Sequence, residues 1–482
     1  MSSRAEAGIS SSYLYSPFEA IILKLSGYCV FWDDGARQAF RQSIKPWAGR
    51  VAHFLGSYSK KKIPRAQGGF FIEEKIRTLG ITVLTKRRVR DTIRVALLVD
   101  EFFGAWDTAI GGYGALARKY VCRYVPNGQI DVDVLLSFHN EEGVLSELAD
   151  KTRLYRLPVG LAARQEWLDG QEYDLFLSIE MTAPSFDIIR DYEASVPVLF
   201  WIQDPRYLDA YQARLRTVNR LRDGDWSYTS DVSNWLQGRL KDGRISFISQ
   251  GNSLSSLARS AYGIPGSVPI RLLPNPVEMD LDYRLNEPRK KNKVIFLARL
   301  EAQKRAWIAC EVAKAMPQYE FYILGATGKG RDELENTRAL MDYRNPDGVS
   351  KVANLHFLGH VDGDVKNEHL KTAKLLINTS IWEGIPVSWL EALSYGTLIV
   401  SAFDRDDIVS RFGTYVGEIL GDGVDEASIR RFTDAIEYWI THEAHRLEVA
   451  RKAIDYVRER HSVDEFTESL RKEILERARQ IA

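Results

Sequence analysis

Short apolar runs alternate with segments able to form helices, and the alternation occurs twice along the chain. This constrains the fold more than any other feature. The first block opens on Ile93-Arg-Val-Ala-Leu-Leu-Val-Asp100, continues through Gly111-Gly-Tyr-Gly114 into a helical stretch over 115–124, and has further apolar runs at 132–138, 173–179, 196–202 and 245–248. The second predicts strands at 293–298, 319–324, 354–358, 374–378 and 398–402, with helices over 304–316 and 387–395, and a tail that is helical in pattern from 427 onward. Strands that alternate with helices form parallel sheets covered on both faces. The expectation is an α/β chain with two Rossmann-like domains facing a cleft: an N-terminal domain over 92–285, a C-terminal domain over 286–455, and a final helical segment, 456–482, packing back on the first domain. The polar, Pro-containing stretch 286–292 suits the linker.

The 482 residues, 45% of them hydrophobic, can fill more than one core. Lys and Arg total 65 and Asp and Glu 65, so neither a global basic field for nucleic acid nor an acidic tail is present. Cys29, Cys122 and Cys310 lie far apart, as in a chain from a reducing compartment. The apolar stretch 20–32 is broken by Lys24 and is too short to span a bilayer, and no cleavage site follows it. A cytoplasmic protein is expected.

Residues 1–91 lack the alternating rhythm and form a basic extension. Between 37 and 94 there are 15 Lys and Arg against three acids, with Trp47, Phe54, Tyr58, Phe70 and Phe71 interleaved. Two readings stand together: a surface for anionic lipid headgroups or a phosphorylated partner at the inner face of a membrane, or a solvated basic face on a helical cap.

The sharpest local signal is Ser380-Ile-Trp-Glu383-Gly-Ile-Pro386-Val-Ser-Trp-Leu-Glu391-Ala. It starts at the carboxyl end of a predicted strand, where doubly wound sheets bind ligands. Gly384, Ile385, Pro386 and Val387 lead into a helix, Pro386 suits its first turn, and the backbone N–H groups there suit an anion. Glu391 follows a little over one turn in, able to accept two neighbouring hydroxyls. Burying it unpaired between Leu390 and Ala392 would be costly, which points to a polar ligand. The second signal is Arg299-Leu-Glu-Ala-Gln-Lys304 after the block's first strand, two cations able to grip a diphosphate. Taken singly, Glu383 could be a cap, Arg299 an ion-pair partner of a nearby carboxylate, and Gly111-Gly112 a plain turn.

Together these motifs resemble those of the retaining glycosyltransferases of family 4, which have the GT-B fold. Glu383 and Glu391 match that family's glutamate pair, and Arg299 and Lys304 its Arg and Lys. Asn354-Leu-His-Phe-Leu-Gly-His-Val361 is similar to its base-binding turn, Leu273-Pro-Asn-Pro-Val277 to its interdomain segment, and Gly111-Gly112 to its glycine loop. The likeness runs over roughly 92–475, strongest in the second block. It implies transfer of a hexosyl or deoxyhexosyl group, with retention, from a nucleotide-diphosphate sugar to a saccharide or lipid-linked acceptor, as in bacterial polysaccharide biosynthesis. Glu391 would hold the ribose, Glu383 the donor sugar, and Arg299 and Lys304 the diphosphate, with amides around 384–387 assisting. The base would lie near His360 and Val361, and the backbone at Gly111 and Gly112 would approach the phosphate. No cofactor and no metal are expected.

One departure stands out. Many members place a His at the end of an N-domain strand, where this chain has Gln203-Asp204-Pro205, and Gln203 cannot titrate near neutrality. Asp204 is the candidate acceptor-side residue, with a helix cap as its plain alternative. Asp131-Val-Asp133, Asp362-Gly-Asp364 and Asp404-Arg-Asp406 have the Asp-x-Asp spacing of metal-dependent transferases, but three matches in an acid-rich chain make that spacing uninformative. Solvent exposure accounts for Asp131 and Asp133, on one side of their strand. The competing readings are a GT-B enzyme of another type, a phosphorylase or epimerase, and a non-catalytic nucleotide-sugar-binding scaffold.

Overall fold

Central strands of a parallel sheet are covered on both faces, so they read as continuous apolar runs, and two such sheets organise the chain. The computed structural model describes residues 92–479 apart from 103, 109, 141–144, 150, 193–195, 207, 219–227, 286–291 and 328–336. All of these belong to one unit, Arg88–Ala482. The extension 1–91, all but the last three positions of the basic stretch 37–94, and most of the 286–292 linker lie outside the described residues.

The first sheet contains β1 (Ile93–Val99), β2 (Ile130–Asn140), β3 (Leu145–Ala149), β4 (Thr152–Pro158), β5 (Leu175–Ile179), β6 (Val198–Ile202), β7 (Ile245–Ser249) and β8 (Ile270–Leu272). Their order is β3-β4-β2-β1-β5-β6-β7-β8. Every neighbouring pair is parallel except β3 with β4. The second sheet contains β9 (Lys293–Leu297), β10 (Glu320–Leu324), β11 (Leu355–Gly359), β12 (Leu375–Asn378), β13 (Leu398–Ser401) and β14 (Gly413–Tyr415), in the order β11-β10-β9-β12-β13-β14 and parallel throughout. The sequence order reverses beside β1 in one sheet and beside β9 in the other. Crevices of this kind, at the carboxyl ends of the strands, are where ligands sit.

The apolar patterning did not anticipate the β3–β4 hairpin or the three-residue edge strands β8 and β14. The β3 sequence Leu-Ser-Glu-Leu-Ala has no buried run to mark it, and its described side chains are largely solvated.

The tail forms the helices Glu426–Thr441, Glu443–Arg460 and Val463–Arg479. Asp425 caps the first, accepting from the Ser428 N–H at 2.9 Å. Glu443–Arg460 remains with the second domain: a Cβ on Gly396 would sit 3.0 Å from the Ala450 side chain. The chain crosses at His461, whose carbonyl accepts from Val277 N–H at 2.9 Å and whose Nδ1 donates to the Asn275 carbonyl at 2.6 Å. Val463–Arg479 then lays Phe466, Leu470 and Ile474 on the first sheet, with Phe466 stacked on Trp201 at 5.2 Å. Each such side chain contributes about 1.5–3 kcal/mol by leaving water, which fastens the end of the chain across both domains.

Candidate active site

Arg299 follows β9, and residues Ala302–Lys304 make a single 3-10 turn. Arg305 then adopts a left-handed conformation (φ 48°), and a helix starts at Ala306. Lys304 therefore precedes the helix expected over 304–316 instead of opening it. The left-handed residue redirects the chain, so the turn and the helix are separate elements. On the next strand of the reversal, β12 ends at Asn378 and the chain runs through Ser380 and Glu383 to Pro386. Pro386 is the extended N-cap (φ −63°, ψ 133°) of helix Val387–Ser394, one residue outside its expected place in the first turn.

These two loops meet. Lys304 Nζ lies 2.8 Å from each oxygen of Glu383, Ser380 Oγ donates to Oε1 at 2.5 Å, and Asn378 Nδ2 lies 3.3 Å from the same oxygen. The Glu383 carbonyl accepts from Arg405 Nε at 3.1 Å. A buried carboxylate paired with a cation and supported by neutral donors is held in one orientation. A Cβ on Gly384 would fall 2.2 Å from the Gln203 carbonyl oxygen, so glycine lets the two domains' backbones approach here.

Arg299 is engaged from both sides of the cleft. Its Nη1 lies 3.1 Å from Glu301 in its own domain and 3.3 Å from Glu101, just beyond β1 in the other. Burial alone would lower the Arg299 pKa, but the Glu301 and Glu101 charges raise it above the ordinary value. Glu101 is 6% exposed and accepts from the Gly114 N–H at 3.1 Å. A Cβ on Gly111 would lie 2.2 Å from Glu101 Oε1, whereas one on Gly112 would meet nothing within 4 Å. Burial pushes the Glu101 carboxyl above its usual range, against the opposing pull of Arg299 and the Gly114 N–H. Sequence reasoning did not single out Glu101. Its one signal was an acid directly after the block's first apolar strand.

Glu391 corrects an expectation. Its carboxylate is not left for a ligand alone: Lys366 Nζ donates to Oε1 at 2.6 Å. Lys366 also lies 3.2 Å from Asp362, and Lys119 of the first domain reaches both oxygens of Asp362 at 2.8 and 2.9 Å. Lys119 sits on a six-residue π-helical stretch, Leu116–Val121, within the helix that follows the glycine loop. Burial would raise the Asp362 pKa, but the Lys119 hydrogen bond and the Lys366 charge bring it down to about 2. His360 and Val361 immediately precede this cluster, with His360 exposed. Gly359 has φ 69°, which lets the chain turn there.

Across the cleft, Asp204 does not cap a helix. Its Oδ1 accepts from Trp382 Nε1 at 2.8 Å and its Oδ2 from Arg206 at 3.2 and 3.3 Å. Gln203 is tied to Asn275 by a reciprocal amide pair at 2.8 and 3.0 Å, and Asn275 also donates to Gln250 at 2.7 Å. Beneath them lies Glu180, absent from the sequence reading. It has φ 59° and accepts from the N–H groups of Met181, Gln203 and Asp204 and from Tyr262 Oη, at 3.0, 2.8, 2.6 and 2.5 Å. Burial raises its pKa, and these four donors oppose the rise. Glu180 thus fixes the turn that presents Asp204.

The Asp-x-Asp aspartates are used separately. Asp133 pairs with Arg94 at 2.9 Å and accepts from Tyr173 Oη at 3.1 Å, so solvent exposure alone does not account for it. Asp404 accepts from Val409 N–H and Ser410 N–H at 2.9 and 3.0 Å. Asp406 caps the other domain's helix Asn252–Tyr262 through Asn252 N–H and Ser253 N–H at 2.7 and 2.8 Å. Among the described residues, no three His, Cys, Asp or Glu side chains converge as metal ligands, and no helix is long and apolar enough to cross a membrane.

Two Rossmann-like domains, whose strand ends face each other across a basic and acidic cleft, define the GT-B class of fold. Solved structures agree. Sucrose-phosphate synthase from Thermosynechococcus elongatus aligns over 80% of this chain and 98% of its own, with a TM-score of 0.61 at 15% identity. HepE from Anabaena, solved in complex with UDP and glucose, aligns over 79% and 99%, with a TM-score of 0.54 at 13% identity. Residues 280–460 match the family described as glycosyl transferases group 1. Two curated Escherichia coli proteins, the O-antigen biosynthesis glycosyltransferase WbnH and the probable O-antigen biosynthesis glycosyltransferase WbiN, are each 34% identical over 109 residues. That match spans 23% of this chain and 28% of each relative.

Proposed function

We propose that the protein is a glycosyltransferase that moves a hexosyl or deoxyhexosyl group, with retention of configuration and without a metal, from a nucleotide-diphosphate sugar to a saccharide or lipid-linked acceptor in polysaccharide biosynthesis. The observation that carries this reading is the meeting of Arg299, Lys304, Glu383 and the glycine loop at the facing strand ends. Support comes from the match of residues 280–460 to glycosyl transferases group 1, from the O-antigen transferases that the chain resembles, and from a fold-mate solved with UDP and glucose.

Breaking a sugar–phosphate bond places negative charge on the departing diphosphate and positive charge on the anomeric carbon. Arg299 and Lys304 supply fixed cations for the first, each charge-assisted hydrogen bond contributing about 1.5–3 kcal/mol. Glu383, held by Lys304 and Ser380, faces the donor sugar. Glu391 binds the ribose through the oxygen that Lys366 leaves available, and the base lies by His360 and Val361. The backbone N–H groups of Gly384, Ile385 and Val387, with Pro386 contributing no donor but setting the turn into the helix, and the bare backbone at Gly111 and Gly112, line the diphosphate. Asp204, steadied by Trp382 and Arg206, borders the acceptor. With the leaving phosphate taking the acceptor's proton, no protein nucleophile is required.

Acceptor-free hydrolysis separates a transferase from a binding scaffold. In EDTA, one of UDP-, GDP-, ADP- or dTDP-sugars should be cleaved slowly, and proton NMR should first detect the sugar with the donor's anomeric configuration. Inverted sugar would remove retention from the account, and failure to cleave any donor would favour the scaffold. Peripheral contact of residues 37–94 with anionic membrane belongs to the same proposal. Deleting residues 1–90 should lower binding to anionic liposomes, and equal binding would discard that contact.

A further inference from the structure

Glu101 occupies a singular position in the cleft. One oxygen accepts from the Gly114 N–H at 3.1 Å, the other from Arg299 at 3.3 Å, and Gly111 has no side chain where one would strike both oxygens. The carboxylate therefore holds the amide and guanidinium donors that a diphosphate oxygen would seek between the glycine loop and Arg299. Carboxylate and phosphate oxygens are interchangeable ligands for a guanidinium fork and a backbone N–H.

Charge balance makes Glu101 a replaceable ligand. Arg299 already has Glu301 of its own domain at 3.1 Å, so Glu101 is not needed to neutralise it. Glu101 adds a second carboxylate to one guanidinium, and burial disfavours its ionised form, with the Glu301 and Asp100 charges also opposing its ionisation. Among the described residues Arg299 is the one cation in contact with Glu101, and Glu301 shares it, so a more highly charged diphosphate competes for it through a larger Coulomb attraction.

We propose that Glu101 is an internal anionic ligand of the diphosphate seat: it occupies the Gly114 N–H and Arg299 while no nucleotide is bound, a nucleoside diphosphate binds by displacing it, and its return speeds departure of the diphosphate product. This rests on the reading of Arg299 as a diphosphate ligand. Glu101 then makes binding weaker than the seat alone permits, while keeping Arg299 oriented between turnovers.

The test is titration calorimetry on the full chain in EDTA, with UDP, GDP, ADP and dTDP and with the corresponding nucleosides. Wild type, Glu101→Gln, Glu101→Ala and Arg299→Ala are compared, and the unliganded unfolding midpoint of each reports that it is folded. For the nucleotide that binds wild type, Glu101→Gln and Glu101→Ala should bind about tenfold more tightly, the size of one competing charge-assisted hydrogen bond. Stopped-flow release should slow by a similar factor, and the affinity for the nucleoside, which has no phosphate, should not change. Equal or weaker diphosphate binding by both Glu101 variants, with Arg299→Ala still weakened, overturns this inference alone. Diphosphate binding untouched by Arg299→Ala overturns the reading of the seat itself, and the inference with it.

Discussion

Lys304→Met should lower acceptor-free donor hydrolysis by about 10²–10³-fold, the cost of removing one preorganised donor from a developing oxyanion. The structure adds a second consequence. Lys304 lies 2.8 Å from both oxygens of Glu383, whose side chain is only 8% exposed. Without the ammonium, that carboxylate keeps, among the described residues, the Ser380 hydroxyl and the Asn378 amide, so the variant should also lose about 3–5 kcal/mol of stability, as when one partner of a buried pair is removed. Combining Lys304→Met with Glu383→Gln removes the stranded charge. The double variant should regain most of the stability and none of the activity. Denaturant midpoints and hydrolysis rates for the two single variants and the double separate the roles. Full activity in Lys304→Met would remove the lysine from the chemistry.

The second large effect is expected at Arg305, next in the chain and without direct access to the cleft. Its side chain is fully buried, with Nε donating to the Thr379 carbonyl at 2.9 Å and Nη1 to the Ile419 and Gly421 carbonyls at 2.8 and 3.0 Å. Burial lowers its pKa to about 10, yet it remains a cation at neutral pH, solvated by carbonyl oxygens instead of water. Nη2 has no acceptor among the described residues. Arg305→Met would leave three carbonyls without this donor and, at about 1–3 kcal/mol for each acceptor left unsatisfied, should cost about 3–5 kcal/mol. Thr379 Oγ1 also donates to the Lys304 and Arg305 carbonyls at 2.7 and 3.0 Å, so the same loss should loosen the turn that presents Lys304. The check is the urea unfolding midpoint. A shift within about 0.5 kcal/mol, the level of an ordinary surface change, would mean that these carbonyls find other donors.

The central strands were legible in the sequence because a strand covered on both faces must be apolar throughout. β1, β5, β6, β9, β12 and β13 all read that way. The β3–β4 hairpin was not, because an edge strand with a wet face needs no such run. Within the site, the segments around Arg299–Lys304 and Glu383–Glu391 were legible because each belongs to one strand–loop–helix passage, so local spacing reports proximity. What escaped joins distant parts of the chain. Lys119 reaches Asp362 across 243 positions, and Glu101 reaches Arg299 across 198. No local pattern encodes either contact. Glu391 illustrates the cost of arguing from local apolarity: the missing partner, Lys366, lies 25 residues earlier on the neighbouring helix Gly363–Thr372. Asp362, set aside for its uninformative spacing, proved to be the acid that links Lys366 to the other domain.

Thermal unfolding with UDP, GDP, ADP or dTDP, each in EDTA, for wild type and Arg299→Ala, tests the central claim of a metal-free nucleoside-diphosphate seat most directly. A ligand at one hundred times its dissociation constant adds about 2.7 kcal/mol of stability, enough to raise the midpoint visibly. The account predicts a rise with one nucleotide in wild type and its loss in Arg299→Ala. An equal rise in Arg299→Ala, or no rise with any of the four, would contradict it.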